Sequence, residues 1–174
     1  NADGVEKAMQ MCKIAARQCA VLPSNVIVAS TGVIGMPLDV TPIEKSIGQL
    51  YWDLEHSVAG SRNAAEAIMT TDTTIKEVAV EFELGGKVCR MGGIAKGSGM
   101  IHPNLATMLI FITSDVAVSS EMLQKALKAD VNKTFNMISV DGDTSTNDTV
   151  AIISNGMAGN KLINSEGEEY DVFC

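Results

Sequence analysis

The residues best placed to do chemistry run together as Lys96-Gly97-Ser98-Gly99-Met100-Ile101-His102-Pro103-Asn104-Leu105-Ala106-Thr107. Thr107 closes this Gly-, Pro- and Asn-containing segment and opens the apolar run Met108-Leu109-Ile110-Phe111-Ile112. A hydroxyl residue between a tight loop and a buried strand is where self-cleaving proteins generate a new N-terminal nucleophile. The Thr107 hydroxyl can attack the Ala106 carbonyl, and hydrolysis of the ester frees a threonine bearing both a hydroxyl and an α-amine. An α-amine has a pKa of about 7.7–8.0, so it can serve as a built-in general base for its own hydroxyl. Spacing alone does not separate this from a threonine that merely opens a strand.

Other groups can be weighed the same way. Thr31-Gly32 follows a short apolar segment, and a glycine there lets backbone N–H groups turn outward as an oxyanion hole requires; an ordinary strand-to-loop turn has the same pattern. Lys96 can bind a carboxylate or polarise a carbonyl, or can be a solvated lysine. Thr70-Thr71-Asp72 offers hydroxyls after a helix, or a local Asx/Ser-Thr turn. His102 can be a base near Thr107, but an N-terminal amine makes a second base unnecessary, and loop packing explains it as well. The acidic stretch Asp141–Asp148 begins like a calcium loop, yet its sixth position is Thr146 instead of Gly and its twelfth is Ile152 instead of Glu. A hydrogen-bonded acidic turn fits it better. Gly92 to Gly99 is glycine-rich around Lys96 but lacks the order of a Walker loop, and no helix is expected after it.

The elements that must position these groups read as mixed α and β. Asp3-Gly4-Val5-Glu6 resembles a capping box opening a helix to about Leu22, stopped by Pro23. Its apolar positions are Val5, Ala8, Met9, Cys12, Ala15, Ala16 and Cys19. Val26–Ser30 reads as a short strand. Thr41-Pro42-Ile43-Glu44 opens a second helix with Ile43, Ile47, Leu50 and Leu54 on one side, and a third runs from about Arg62 to Met69. Strands over 76–84 and 87–92, joined by Gly85-Gly86, form a hairpin whose first strand sets Val78, Val80 and Phe82 against a wet face. A helix near 119–132 and a strand over 149–154 follow. The expected class is α/β (α+β), with layered mixed or antiparallel sheets and flanking helices.

Composition narrows the partners. The 174 residues carry 13 basic and 21 acidic side chains for a net charge of -8, with no basic cluster, so nucleic-acid backbone binding is not expected. No apolar run approaches the ~20 residues of a membrane span, and the start lacks a signal-peptide pattern. Cys12, Cys19, Cys89 and Cys174 show no Cys-x-x-Cys spacing, and His56 and His102 are isolated. Buried reduced cysteines of a cytoplasmic protein, with no metal site, are expected. The chain starts almost inside a helix and stops at the apolar pattern Tyr170/Val172/Phe173, which suggests a fragment.

Five motifs in order carry a resemblance over essentially the whole chain. They are Ala29-Ser30-Thr31-Gly32-Val33-Ile34-Gly35, Ala67-Ile68-Met69-Thr70-Thr71-Asp72-Thr73, Gly92 through Asn104, Ala106-Thr107-Met108-Leu109, and Ser139 through Thr149. Together they resemble the ornithine acetyltransferase family, also called the bifunctional glutamate N-acetyltransferase of arginine biosynthesis. The resemblance implies a self-cleaving N-terminal-nucleophile-like architecture cut at Ala106–Thr107. Residues 1–106 would be the C-terminal part of an α segment and 107–174 the N-terminal part of a β segment, in one structural domain. It implies Thr107 as the nucleophile, acetylated by N2-acetylornithine and deacetylated by glutamate, Thr31 and Gly32 as the oxyanion-hole pair, and Thr70 and Lys96 as substrate-binding residues. It further implies an α2β2 heterotetramer and no cofactor, with acetyl-CoA left open as a second donor. Family members are more than twice as long, so further substrate residues would lie outside this chain. The same hydroxyl-plus-amine chemistry would also serve an amidohydrolase or aminopeptidase, and an inactive fragment is the third reading.

Overall fold

The computed structural model describes residues 2–102, 107–145 and 147–174. They fall into two compact units, residues 1–61 and 62–174.

The first unit is helical. Helix α1 spans Gly4–Cys19 and buries Cys12, Ile14 and Ala16, while Val5 and Met9, expected on the buried side, stay exposed. The capping box does not form: Asp3 makes no side-chain cap bond. The helix ends before the expected Leu22, because Ala20 turns left-handed (φ 55) and its N–H closes on the Ala16 carbonyl. Pro23–Asn25 then makes a 3-10 turn. Helix α2 spans Thr41–Trp52. The expected threonine cap does not form: Val40 takes the N-cap position without a side-chain cap bond, and Asp39 Oδ1 accepts from the Thr41 N–H at 2.9 Å in the turn just before the helix. Ile43 and Ile47 are half-buried and Leu50 and Leu54 are exposed. Helix α3, Val58–Ala67, starts earlier than expected. Ser57 Oγ accepts from the Gly60 N–H at 2.9 Å and caps this earlier start.

The expected strand Val26–Ser30 is not formed; the segment is irregular up to α2. Val26 itself is extended (φ -108, ψ 128). A strand, however, is defined by its ladder partner, and no strand exists among the described residues of this unit to pair with it.

The second unit is built on one four-stranded sheet: β1 (Lys76–Leu84), β2 (Lys87–Lys96), β3 (Leu109–Ser114) and β4 (Thr149–Ser154), in that spatial order. β1 and β2 form the expected hairpin; Gly85 and Gly86 both take positive φ (54 and 75), the backbone that matches the twist of paired strands. β2 runs four residues beyond its expected end, to Lys96, because β3 pairs with it antiparallel from Met91↔Ser114 to Lys96↔Leu109. β3 and β4 are parallel, and the crossover between them carries α4 (Ser120–Val131), capped by Ser119 Oγ accepting from the Met122 N–H. A terminal helix α5, Glu168–Phe173, was not anticipated. It places Tyr170 and Phe173 in a core with Leu84, Cys89, Val116, Met122, Ala126 and Ile163. The expected wet-and-dry alternation of β1 holds only at its far end, where Phe82 and Leu84 meet that core. Val78 and Val80 are 67% and 51% exposed, because the core packs against β1 only at Phe82 and Leu84. Of the cysteines, Cys12 and Cys89 are buried, but Cys19 and Cys174 are exposed, against expectation; all four are free. No helix of the described residues is long and apolar enough to cross a membrane.

Leu84, 1% exposed at the hairpin end, ties β1 to this core. Leu84→Ala is expected to cost about 2–5 kcal/mol in denaturant unfolding.

Candidate functional site

β2 delivers Lys96 to the end of the sheet, where the side chain is covered and the residue is 3% exposed. A buried ammonium needs partners. Lys96 Nζ donates to Thr70 Oγ1 at 3.2 Å, and the Asp72 carboxylate lies close enough to favour its charge. Burial still lowers its pKa below the ordinary lysine value; Asp72 acts against that shift and Lys76 adds to it.

Asp72 organises this corner. Its side chain is fully covered, and Oδ1 accepts from the Gly97 N–H at 2.8 Å and from Lys76 Nζ at 2.5 Å. Oδ2 accepts from the Thr70 N–H at 3.3 Å. One carboxylate thus staples the segment after α3 to the end of β2, and with it Thr70 to Lys96. Thr71 Oγ1 and Ser98 Oγ share a further hydrogen bond of 2.7 Å across the same gap. Burial alone would raise the Asp72 pKa, but the hydrogen bonds from Lys76, Gly97 and Thr70 outweigh it and hold it at about 2.

Thr107 lies on the other strand of the loop. Gly97 has φ +148, and a Cβ added there would sit 3.2 Å from the Thr107 carbonyl oxygen and 3.1 Å from Met108 Cγ. Only glycine lets these two backbone segments run so close. The Thr107 N–H donates to the Met100 carbonyl at 3.0 Å, and its hydroxyl reaches the same oxygen at 3.4 Å. Beneath them Ile101, Met108 and Ile110 form a second buried cluster, with Ala95, Ile112, Phe135 and Val150 packed on it.

Thr70, Lys96 and Thr107 therefore all belong to the second unit, with Thr70 and Lys96 in direct contact. Thr31, half-buried, and Gly32, exposed, stand in the irregular segment of the first unit. Ala106, the expected cleavage partner, lies outside the described residues, as do Pro103, Asn104, Leu105 and Thr146. His102 is exposed. Among the described residues no group of three or more His, Cys, Asp or Glu is arranged to hold a metal ion. The acidic stretch is a turn: Asp141 Oδ1 accepts from the Asp143 N–H and Ser145 Oγ from the Asn147 N–H.

Residue type alone makes Asp72 a turn former, and the resemblance sets it within the Thr70-Thr71-Asp72 motif; neither points to its role as a staple between two segments. The available signal was Lys76 four residues on, together with a glycine directly after Lys96 whose N–H needs an acceptor. The linkage of Asp72 to stability has a definite sign. With its pKa below the unfolded value of 3.8, its contribution is complete above pH ~4 and is lost as pH falls through about 2. Asp72→Asn is expected to be less stable than wild type at pH 7 by on the order of 2 kcal/mol. Thermal melts from pH 7 down to 2 should show that gap closing.

The whole chain, residues 1–174, matches the ArgJ family. It is 49% identical over 171 residues to arginine biosynthesis bifunctional protein ArgJ 1 of Clostridium acetobutylicum, covering 98% of this chain and 41% of that protein. It is 51% identical over 173 residues to the glutamate N-acetyltransferase of Methanocaldococcus jannaschii, covering 97% of this chain and 42% of that one. The chain thus spans about two fifths of the length of these relatives. Among solved structures, the arginine biosynthesis bifunctional protein argJ of Bacillus halodurans superposes with a TM-score of 0.50 at 36% identity, over 61% of this chain and 53% of that one. The match from first residue to last, at about half identity to proteins from a bacterium and an archaeon, establishes that this chain belongs to the ArgJ family.

Proposed function

We propose that this chain is the central part of a self-processed acetyltransferase of arginine biosynthesis, which moves an acetyl group from N2-acetylornithine to glutamate through an acetyl-Thr107 intermediate. The observation that carries this reading is the family match across all 174 residues, with relatives named glutamate N-acetyltransferase and arginine biosynthesis bifunctional protein.

In this reading the chain is cut between Ala106 and Thr107, and the freed α-amine of Thr107 takes the proton of its own hydroxyl as the oxygen attacks the acetyl carbonyl. Thr31 and Gly32 supply the oxyanion hole. Both half-reactions pass through the same kind of tetrahedral oxyanion, so one donor pair serves both. Donor and acceptor are α-amino acids, so one cation can hold either carboxylate. Lys96, covered and aligned with Thr70, suits that task. The acetyl group rides on Thr107 itself, and no metal or cofactor is invoked. The β2–β3 ladder supports lasting association of the α and β segments after cleavage, since it joins residues on both sides of the cut. Assembly into α2β2 and a cytoplasmic location belong to the same proposal.

The test uses the full-length protein with N-acetylornithine and no glutamate. The fragment beginning at Thr107 is expected to gain one acetyl group by mass, and glutamate is expected to discharge it as N-acetylglutamate. Release of acetate at the same rate with and without glutamate would show hydrolysis and contradict transfer. Lys96→Met should raise KM for both amino acids at least tenfold, since it removes a buried charged partner.

A further inference from the structure

The acidic stretch after Val140 has no part in the chemistry above, yet one of its carboxylates reaches the loop that presents Thr107. Asp141 Oδ2 accepts from the Met100 N–H at 2.9 Å, across 41 residues of sequence. Met100 is one of three non-glycine residues with positive φ among the described residues, at 53. In that conformation its carbonyl faces Thr107 and accepts both the Thr107 N–H at 3.0 Å and, more weakly, its hydroxyl at 3.4 Å. Left-handed backbone is costly for a side chain like methionine, so something must hold it there. The holding groups converge on one short bridge. Ile101 and Val140 exchange backbone hydrogen bonds of 3.2 and 2.8 Å. Asp141 itself turns left-handed at φ 62, with Gly142 following at φ 76. The carboxylate also lies against Gly99, 3.4 Å from where a Cβ would stand, an ordinary contact distance.

We propose that Asp141 is a positioning residue for Thr107: it fixes Met100 in the left-handed conformation whose carbonyl anchors the Thr107 nitrogen and hydroxyl. This rests on the reading of Thr107 as cleavage point and nucleophile. Before cleavage, the Met100 carbonyl holds the Thr107 amide N–H and steadies the hydroxyl beside it. The hydroxyl oxygen then bonds to the Ala106 carbonyl carbon, the Ala106–Thr107 C–N bond breaks, and the hydroxyl proton passes to the nitrogen. Water hydrolyses the ester, leaving the Ala106 carboxylate and restoring the Thr107 hydroxyl. The nitrogen that was an amide is now the amine, and the same carbonyl keeps it in place through one N–H while its lone pair is free to act as base. Asp141 touches no reacting atom, so its effect passes through Met100 alone.

The experiment follows self-cleavage of the full-length protein by intact mass over time. Asp141→Ala is expected to slow cleavage about tenfold, from the cost of an unsupported left-handed methionine. Adding Met100→Gly to that variant should recover the rate to within about threefold, because glycine adopts the conformation without a carboxylate to hold it. Asp141→Asn keeps an acceptor oxygen and should stay near wild type. Should Asp141→Ala fail to fold, the decision passes to the Met100→Gly/Asp141→Ala double variant against Asp141→Asn. Wild-type cleavage rates in Asp141→Ala, or no rescue by Met100→Gly, would overturn the positioning role while leaving Thr107 as nucleophile. An uncut wild-type protein would overturn the Thr107 reading, and this role with it.

Discussion

Six residue pairs between β2 and β3 set the geometry on which the rest of the second unit depends. Lys96 is the last residue of β2 and faces Leu109, the first of β3, so the intervening loop must leave and return at one point at the end of the sheet. That closure brings Gly97 against the backbone of Thr107 and sets Lys96 and Thr107 at the same end of the sheet. It also means that the bond before Thr107 can be broken without separating its two sides, since the ladder is independent of chain continuity. A protein that cuts itself and keeps both products in one site needs such a ladder across the cut.

Within that frame, two carboxylates do the local fixing, and they do it differently. Asp72 is buried, gathers two backbone N–H groups and an ammonium, and is held ionised to about pH 2. Burial penalises its charge, and only the full set of partners makes the charged form stable there. Asp141 is exposed; the Met100 N–H, then the Asp143 N–H, lower its pKa through hydrogen bonds more than desolvation raises it. The first holds the residues suited to a substrate carboxylate, the second the backbone that holds Thr107. Both act on N–H groups of the same loop, at Gly97 and Met100, three residues apart.

Much of this was legible in the sequence where the signal is local. The hairpin follows from Gly85-Gly86 and β3 from the apolar run after Thr107, and the helix expected near 119–132 is there as α4. The apolar periodicity carries α1 on to Leu22, whereas the left-handed Ala20 ends it at Cys19, a backbone turn that periodicity does not mark; α2 starts at the expected Thr41. Val26–Ser30 looked like a strand by composition, but composition cannot supply a ladder partner. Val78 and Val80 alternate as a buried face should, and yet they are exposed on an edge strand. The site divides along the same line. Thr107, Lys96 and Thr70 could be named from residue type and motif, whereas the Asp72 staple and the Asp141–Met100 bond join residues 25 and 41 positions apart, and no periodicity marks such contacts.

The claim on which the functional reading turns is that Thr107 becomes an N-terminal residue by its own chemistry. Intact mass of the full-length protein, purified under native conditions beside Thr107→Ala, tests it most directly. The wild type is expected to resolve into two species, one beginning with Thr107, while Thr107→Ala remains a single uncut chain. A wild-type protein that stays whole, or a variant cut at the same bond, would contradict it.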